Sequence, residues 1–549
     1  MKKVYRISFV LLGILLIVFM KDFQVKADEA VRPEVRALWV DAFHDGAKTP
    51  AQIDKLIQDC VTANLNTLIV QVRRRGDAYY NKTIEPRTED QLLPANFDAL
   101  QYLIKKAHAK NLEVHAWLNT LVAWNSATPP KDPNHIWNLH GPKATGRANW
   151  VSYYRNYDKT KAKWSEKLNS SYYFDPGNPE ALDYTVEVYL NVVKNYEIDG
   201  IHLDYSRYDS LGTGYNSTNV ARYQAYSRTK ELPNPNDPKW NAWRREQTAN
   251  LIRKIYLRTM AIKPKVKVSS SVITWGDGPV AEGDWEKTMS YVNVAQDWQR
   301  WLKEGIVDQL YPMNYYPEWN PKQQDWYNKW IEWEKNHTYG RQVVAGIGNF
   351  SQYLEESLAQ IRRAQAPSAL GNKLAGVALF AYGWNNVYSN SDYKESGSAK
   401  GLPRQPYRYL PETNDLLYPL LAKQGDYLEP VLKKKIMTTP VFPLPAPIPE
   451  MPWKSKPTKG SLMGRITDSN GKGYDYLKLK IEMTKSNGEK VNRQVYTDGS
   501  GWYGFVELPV GDYRVWIEQE KAIVKSANEV TISVGQVVEA NLQMSLEEN

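Results

Sequence analysis

Eight short apolar runs recur between Val35 and Tyr382, and stretches with helical spacing separate them. The runs are VRALWV (35–40), NTLIVQV (66–72), LEVHAWL (112–118), DGIHLDY (199–205), KVKVSSSVI (265–273), VDQLYPMNYY (307–316), RQVVAGIG (341–348) and LAGVALFAY (374–382). Apolar runs of this length, rich in branched residues, suit strands buried on both faces. Between them, TPAQIDKLIQDCVTAN places Thr49 as an N-cap before Pro50, and NPEALDYTVEVYLNVVKNY repeats the device with Asn178 and Pro179. NAWRREQTANLIRKIYLRTM and YLEESLAQIRRAQ also have helical apolar spacing. Eight βα units predict an α/β fold, a (β/α)8 barrel of the TIM type with insertions. The competing open, doubly wound sheet lacks the Gly-rich phosphate loop expected after its first strand.

Side-chain alternation then ranks the polar residues. Successive strand residues point to opposite faces, and inward residues at the C-terminal strand ends line the site of such barrels. In DGIHLDY, Ile201, Leu203 and Tyr205 face the helices, while His202 and Asp204 point inward with Asp204 uppermost. Asp199 has the opposite parity and forms a strand-entry turn with Gly200. An inward carboxylate is costly unless used or paired, so Asp204 is the expected catalytic group and His202 a core residue beneath it. Arg73 points inward from the second strand and is the expected charge partner that holds Asp204 ionised. Trp117 and Asn119 point inward from the third strand, Trp275 follows the fifth, and Asn314 and Tyr315 end the sixth. Arg73, Trp117, Asn119, Trp275, Asn314 and Tyr315 form the expected substrate-binding set, because sugars need bidentate hydrogen-bonding groups and flat aromatic faces.

Composition agrees, with 20 Trp and 37 Tyr against 10 Phe. An insertion from Thr120 to Pro176 gathers Trp124, Trp137, Trp150, Tyr172 and Tyr173, and reads as a sugar platform at the barrel mouth. The net charge of +9 is spread along the chain without a basic block interleaved with aromatics, which argues against nucleic acid. The seven histidines are scattered, with no H-E-x-x-H, so no cofactor or metal is expected. His44, His115 and His202 with Asp41 and Asp204 would have to converge for the alternative of a metal-dependent polysaccharide deacetylase.

The ends of the chain carry different signals. Lys2, Lys3 and Arg6, an apolar run from Ile7 to Met20, and Val25-Lys26-Ala27 predict a secretory signal peptide over 1–27. The expected location is the periplasm, the cell envelope or outside the cell, with membrane contact only if that segment stays uncleaved. The lone cysteine, Cys60, allows no intramolecular disulfide. The barrel is expected over 34–425 and a Pro-rich linker over 426–458. Residues 459–549 alternate apolar and polar side chains between Gly-rich turns, which predicts a small all-β sandwich.

The ordered set VRALWVDAF, VQVRRRGDAYY, LEVHAWLN, YYFDPGNPEALDYTVEVYLNVVKNYEIDGIHLDYSRY, QDWQRWLKEGIVDQLYPMNYY and GVALFAY resembles the glycosyl-hydrolase-like 10 family of bacterial envelope proteins. TDGSGWYGFVELPVGDY is similar to the carboxypeptidase-regulatory-like β-sandwich. The first resemblance implies a glycosidase fold, action on peptidoglycan glycan strands by some members, and functional positions at Asp204, Arg73, Asn119, Asp297 and Asn314. Glycoside hydrolysis ordinarily needs two carboxyl groups, about 5 Å apart for retention and farther for inversion. Relatives often carry a second acid directly after the strand-four aspartate, where this chain has Tyr205. Glu282 is the expected partner, with Asp277, Asp284, Asp41 and Asp45 as alternatives, while Asp297 is expected to cap a helix. The sequence therefore predicts an exported glycoside hydrolase of an envelope amino-sugar polysaccharide, with peptidoglycan glycan strands first. Its main rival is a barrel that binds glycan without cutting it.

Overall fold

The structure is a computed structural model that describes residues 31–155, 164–165, 167–168, 171–385, 412–428, 434–517, 522–523 and 528–546. The expected signal segment lies outside the described residues. Eight parallel strands close into a barrel in sequence order. They are β1 (Val35–Val40), β2 (Thr67–Arg73), β3 (Glu113–Asn119), β4 (Gly200–Asp204), β5 (Lys267–Val272), β6 (Gln309–Asn314), β7 (Gln342–Gly348) and β8 (Gly376–Phe380). Around them pack α1 (Pro50–Thr62), α2 (Ala99–His108), α3 (Pro179–Asn195), α4 (Pro238–Ile262), α5 (Trp298–Glu304), α6 (Pro321–Asn336) and α7 (Leu354–Gln365). Four of these helices start alike. Thr49, Asn178, Asp237 and Asn320 cap the first turn, and proline follows in each case. Proline there loses no helical hydrogen bond and presets φ.

The barrel interior has an apolar layer of Val35, Ala37, Trp39, Ile69, Trp117, Tyr311, Val344 and Ala378. His202 is the polar exception. Its Nδ1 lies 2.9 Å from Ser269 Oγ and its Nε2 2.7 Å from Ser271 Oγ, while the Trp39 indole N–H donates to Nε2 at 3.2 Å. An indole N–H can only donate, so Nε2 accepts and the proton sits on Nδ1. Burial holds the His202 pKa well below the usual value, which keeps the ring neutral. Gly200 belongs to the same packing, because a Cβ there would meet the His115 ring at 2.8 Å.

Much of the tryptophan excess fills space instead of lining a cleft. Trp39, Trp240, Trp298, Trp301 and Trp330 are fully buried. The insertion expected to be a sugar platform builds its own core from Trp124, Trp137, Trp150, Val151 and Phe174, and His140 stacks on Trp150 at 3.4 Å. Its aromatics are near one another in sequence, so local burial satisfies them before any ligand does.

Helix α8 (Glu412–Ala422) packs on α1, and residues 425–428 pair with 435–438. The Pro-rich run that follows is extended but strapped across the N-terminal ends of the barrel strands. The Pro447 carbonyl accepts from Glu34 N at 2.9 Å, the Phe442 carbonyl from Asn64 at 2.8 Å, and Trp453 donates to Asp308 at 2.7 Å. These bonds satisfy polar groups that the barrel floor would otherwise bury unpaired.

In the C-terminal unit, β9 (Lys459–Thr467) pairs with β12 (Trp502–Pro509). A second sheet holds β10 (Lys478–Thr484), β11 (Lys490–Tyr496), β13 (Gly511–Ile517) and β14 (Asn528–Ile532) in the order β11-β10-β13-β14. Leu462, Ile466, Leu479, Ile481, Tyr503 and Val515 fill the space between them. The sandwich is fastened to the barrel by Arg222 with Asp475 (2.6 Å), Lys254 with Asp498 (2.9 Å) and Arg341 with Glu507 (2.7 Å).

Candidate active site

Asp204 ends β4 and is buried at the C-terminal mouth of the barrel. The next residue, Tyr205, adopts φ 52°, a left-handed conformation rare for a tyrosine. That turn brings the Tyr205 amide back onto Asp204 Oδ1 at 2.7 Å. It also lets Arg207 lie over the Tyr205 ring at 4.4 Å and donate to the same oxygen at 3.4 Å. Burial raises the Asp204 pKa above the ordinary carboxyl value, and Arg207, the Tyr205 amide and the Trp117 indole pull it partly back. A carboxyl group held in this balance can carry a proton and then release it.

The other expected residues separate. Trp117 and Asn119 point inward as the alternation predicts, and Asn119 Oδ1 accepts from Gln71 and from Trp117, each at 3.1 Å. Tyr315 lies close enough for the Asp204 charge to add to the burial that raises its pKa. Its ring sits 5.2 Å from Phe380 and 5.5 Å from Phe350. Phe350 continues to Trp384 at 5.7 Å, and Trp384 to His44 at 4.7 Å. Residues following β1, β6 and β7 and ending or following β8 thus form one aromatic wall. Trp275 stands 44% exposed in the loop after β5 and is not part of that wall.

Three expectations are corrected. Arg73 does not pair with Asp204. Its guanidinium makes a bidentate pair with Glu85 at 2.7 and 2.8 Å, buried on both sides, and it also donates to the Asn119 carbonyl. The register shift between Gln71 and Arg73 turns Arg73 toward the loop that carries Glu85. Since Thr120 N donates to the Asp204 carbonyl at 2.7 Å, Arg73 braces the end of β3 against β4 and acts on Asp204 only through the backbone.

Glu282 does not reach Asp204 either. It is exposed and hydrogen-bonds His337 at 3.0 Å, just beyond the C-terminal end of α6. That helix runs back from the mouth, so this end lies at the opposite face of the barrel. Of the alternatives, Asp277 pairs with Lys329, Asp284 caps its own loop, and Asp45 accepts from Gln52. Asp41 is held by the Phe43 and His44 amides and the His44 ring.

Asn314 points outward, beneath α6, and donates to both carboxylate oxygens of Glu334 at 3.0 and 3.1 Å. Parity decides this, because Tyr311 faces the interior and Asn314 lies three positions on. Burial pushes the Glu334 pKa up to about 8, while Asn314 Oδ1 is buried without a partner. The unfolded carboxyl ionises near pH 4.5, so stability falls as pH rises from there toward 8 and then levels. Glu334→Gln removes this loss and offers Asn314 Oδ1 a donor. The expected result is a higher thermal midpoint than wild type at pH 8, with the difference vanishing below about pH 4.5.

Asp297 caps α5, accepting from Arg300 N, as expected. Asp199 accepts from Val114 N and lies against His108, both at 2.8 Å, in a structural role. The histidines needed for the deacetylase alternative do not converge. His202 is held between two serines, while His115 lies low on β3 beside Glu113. Sequence reasoning missed Arg207, Phe350, Phe380, Trp384 and the group of Tyr173 with Asp209. Parity alone would have found Phe380, an inward residue at the end of β8. Tyr173 lies 6.0 Å from Tyr205 and hydrogen-bonds Asp209, whose charge reaches both tyrosines.

The site is thus a buried carboxyl group with a raised pKa beside an aromatic wall, at the C-terminal mouth of a closed parallel barrel. The glycosyl hydrolase-like 10 family model matches residues 34–360, and the chain belongs to that family. A carboxypeptidase regulatory-like domain matches residues 461–545. The glycosyl hydrolase YngK of Bacillus subtilis is 28% identical over 303 residues, 54% of this chain and 54% of the relative. The glycosyl hydrolase DigH of Escherichia coli K12 is 26% identical over 279 residues, 49% of this chain and 58% of the relative. The chain thus spans little more than half the length of the curated relatives it matches. Among solved structures, the PgaB glycoside hydrolase domain of Bordetella bronchiseptica aligns with a TM-score of 0.46 at 14% identity, over 63% of this chain and 94% of that domain.

Proposed function

We propose that the protein is an exported glycoside hydrolase that cleaves an envelope amino-sugar polysaccharide, with peptidoglycan glycan strands first. The observation that carries the reading is Asp204, a buried carboxyl group with a raised pKa at the barrel mouth, opposite the aromatic wall. Asp204 is the acid/base, Trp117, Asn119, Tyr315 and the exposed Trp275 contact sugar, and Asp209, whose charge reaches Tyr205 next to Asp204, is the candidate for the second carboxyl group. The names of the relatives support hydrolysis, and the leader-like first 27 residues support export. Arg74 and Arg75 follow the barrel strand β2, and among the described residues neither has an ion-pair partner. They suit a substrate with negative charge.

The test is incubation with peptide-free glycan strands and with intact peptidoglycan, followed by mass analysis of the products. New reducing ends support the reading, and none on any amino-sugar polymer removes it. The second reading, glycan binding without cleavage, is favoured by the absence of Glu282 from the cleft, and tight binding without products would select it. If Asp204 is the acid, activity falls as pH rises through its pKa. Arg207 lowers that pKa, so Arg207→Gln should move the alkaline limb of the kcat/KM profile to higher pH. An unmoved limb would assign the acid elsewhere.

A further inference from the structure

A cavity of about 630 Å³ lies between the barrel and the sandwich, on the face opposite Asp204. Gly305 follows α5 and Arg341 precedes β7, which places both at the N-terminal ends of the strands. The volume falls within the range of about 300–1,000 Å³ typical of small-ligand sites. Six cationic side chains line the cavity against three carboxylates.

Local pairing leaves part of that charge over. Arg253 and Arg300 are matched by Glu246 and Glu304, and Lys459 and one arm of Arg341 by Glu507. Among the described residues Lys303 reaches Gln299, at 3.4 Å, and the face of Tyr339, and has no carboxylate partner. Arg493 has no carboxylate partner among the described residues. Arg341 also lines the cavity, its guanidinium fixed over Trp453 at 4.4 Å while its Nη2 bonds Glu507 and the Gly305 carbonyl.

We propose that this cavity binds a phosphate-bearing anion. The two cations without a carboxylate partner among the described residues come from separate units, Lys303 from α5 of the barrel and Arg493 from β11 of the sandwich, and Arg341, just before β7, lies in the same wall. A carboxylate presents two oxygens in one plane and is best met by one guanidinium, whereas a phosphate ester offers oxygens in several directions. Because the donors span both units, an occupied cavity also ties the sandwich to the barrel. The inference does not depend on the hydrolase reading.

The test is calorimetric titration of the full chain with pyrophosphate, poly(glycerol phosphate) and polyglutamate at fixed ionic strength. The expected result is saturable binding of the phosphate ligands, weakened about tenfold or more in Lys303→Ala/Arg493→Ala and unchanged in Asp204→Asn. Both altered side chains are exposed, so the double variant should melt like wild type. Tighter binding of the polymer than of pyrophosphate assigns a phosphodiester chain, and comparable binding assigns a small phosphate ester. No saturable binding, equal binding by the double variant, or polyglutamate bound as tightly would each overturn the proposal.

Discussion

Asp204→Asn should lower glycan cleavage by roughly 10²–10⁴-fold, the span that a positioned acid or base contributes, while the folded protein keeps or gains stability. The amide oxygen can still accept from the Tyr205 amide, now at 2.7 Å from Oδ1, so the turn after β4 has no reason to change. What is lost is the proton. The stability sign follows from burial. The folded pKa lies above the unfolded one, so wild type loses stability as pH rises from about 4 through the folded value, and the neutral asparagine escapes this. A variant that is inactive, binds glycan and melts no lower than wild type at pH 7 would identify Asp204 as chemical. Undiminished cleavage would take it out of the mechanism, and a lower midpoint would mean that its charge holds the mouth together.

Glu85→Ala should destabilise the barrel by about 3–5 kcal/mol, because it strands the Arg73 guanidinium without a counter-charge in a site closed to water. Both partners are buried, and Glu85 also accepts from Tyr184 at 3.3 Å. Arg73 supports the Asn119 and Thr120 carbonyls, so the end of β3 should loosen along with it. The double variant Arg73→Met/Glu85→Leu removes both charges and should recover much of the loss, since replacing a whole buried pair by apolar groups is often nearly neutral. Urea titration of the three proteins decides this. Equal losses for the single and double variants would show that hydrogen bonds to the backbone, not the ion pair, carry the energy.

The contrast between Arg73 and Asp204 shows where reading the sequence stops. Both lie near the C-terminal ends of inward-facing runs, and alternation alone makes them partners. One irregular position between Gln71 and Arg73 is enough to send the arginine to Glu85. A bulge of one residue leaves no mark in hydrophobic pattern, because the apolar residues on either side remain apolar. Asn314 failed for a simpler reason. Its position at a strand end was read without its parity, and parity places it under α6 with Glu334. Glu282 failed because a loop can double back, and the course of the segment after β5 depends on α6, which forms some forty residues later.

The sequence by itself determined the barrel. Eight buried runs separated by stretches of helical spacing leave a parallel closed sheet as the arrangement that buries every run on both faces. It also determined that Asp204 points inward and His202 lies beneath it, because a period of two is local information. Only the tertiary structure decided what surrounds Asp204. Arg207 and Tyr205 reach its carboxylate through a left-handed turn, and Tyr315, Phe350, Phe380 and Trp384 gather from three strand ends far apart in the chain. Alternation fixes which way a side chain points, but which distant side chain it meets depends on loop paths that no local period encodes.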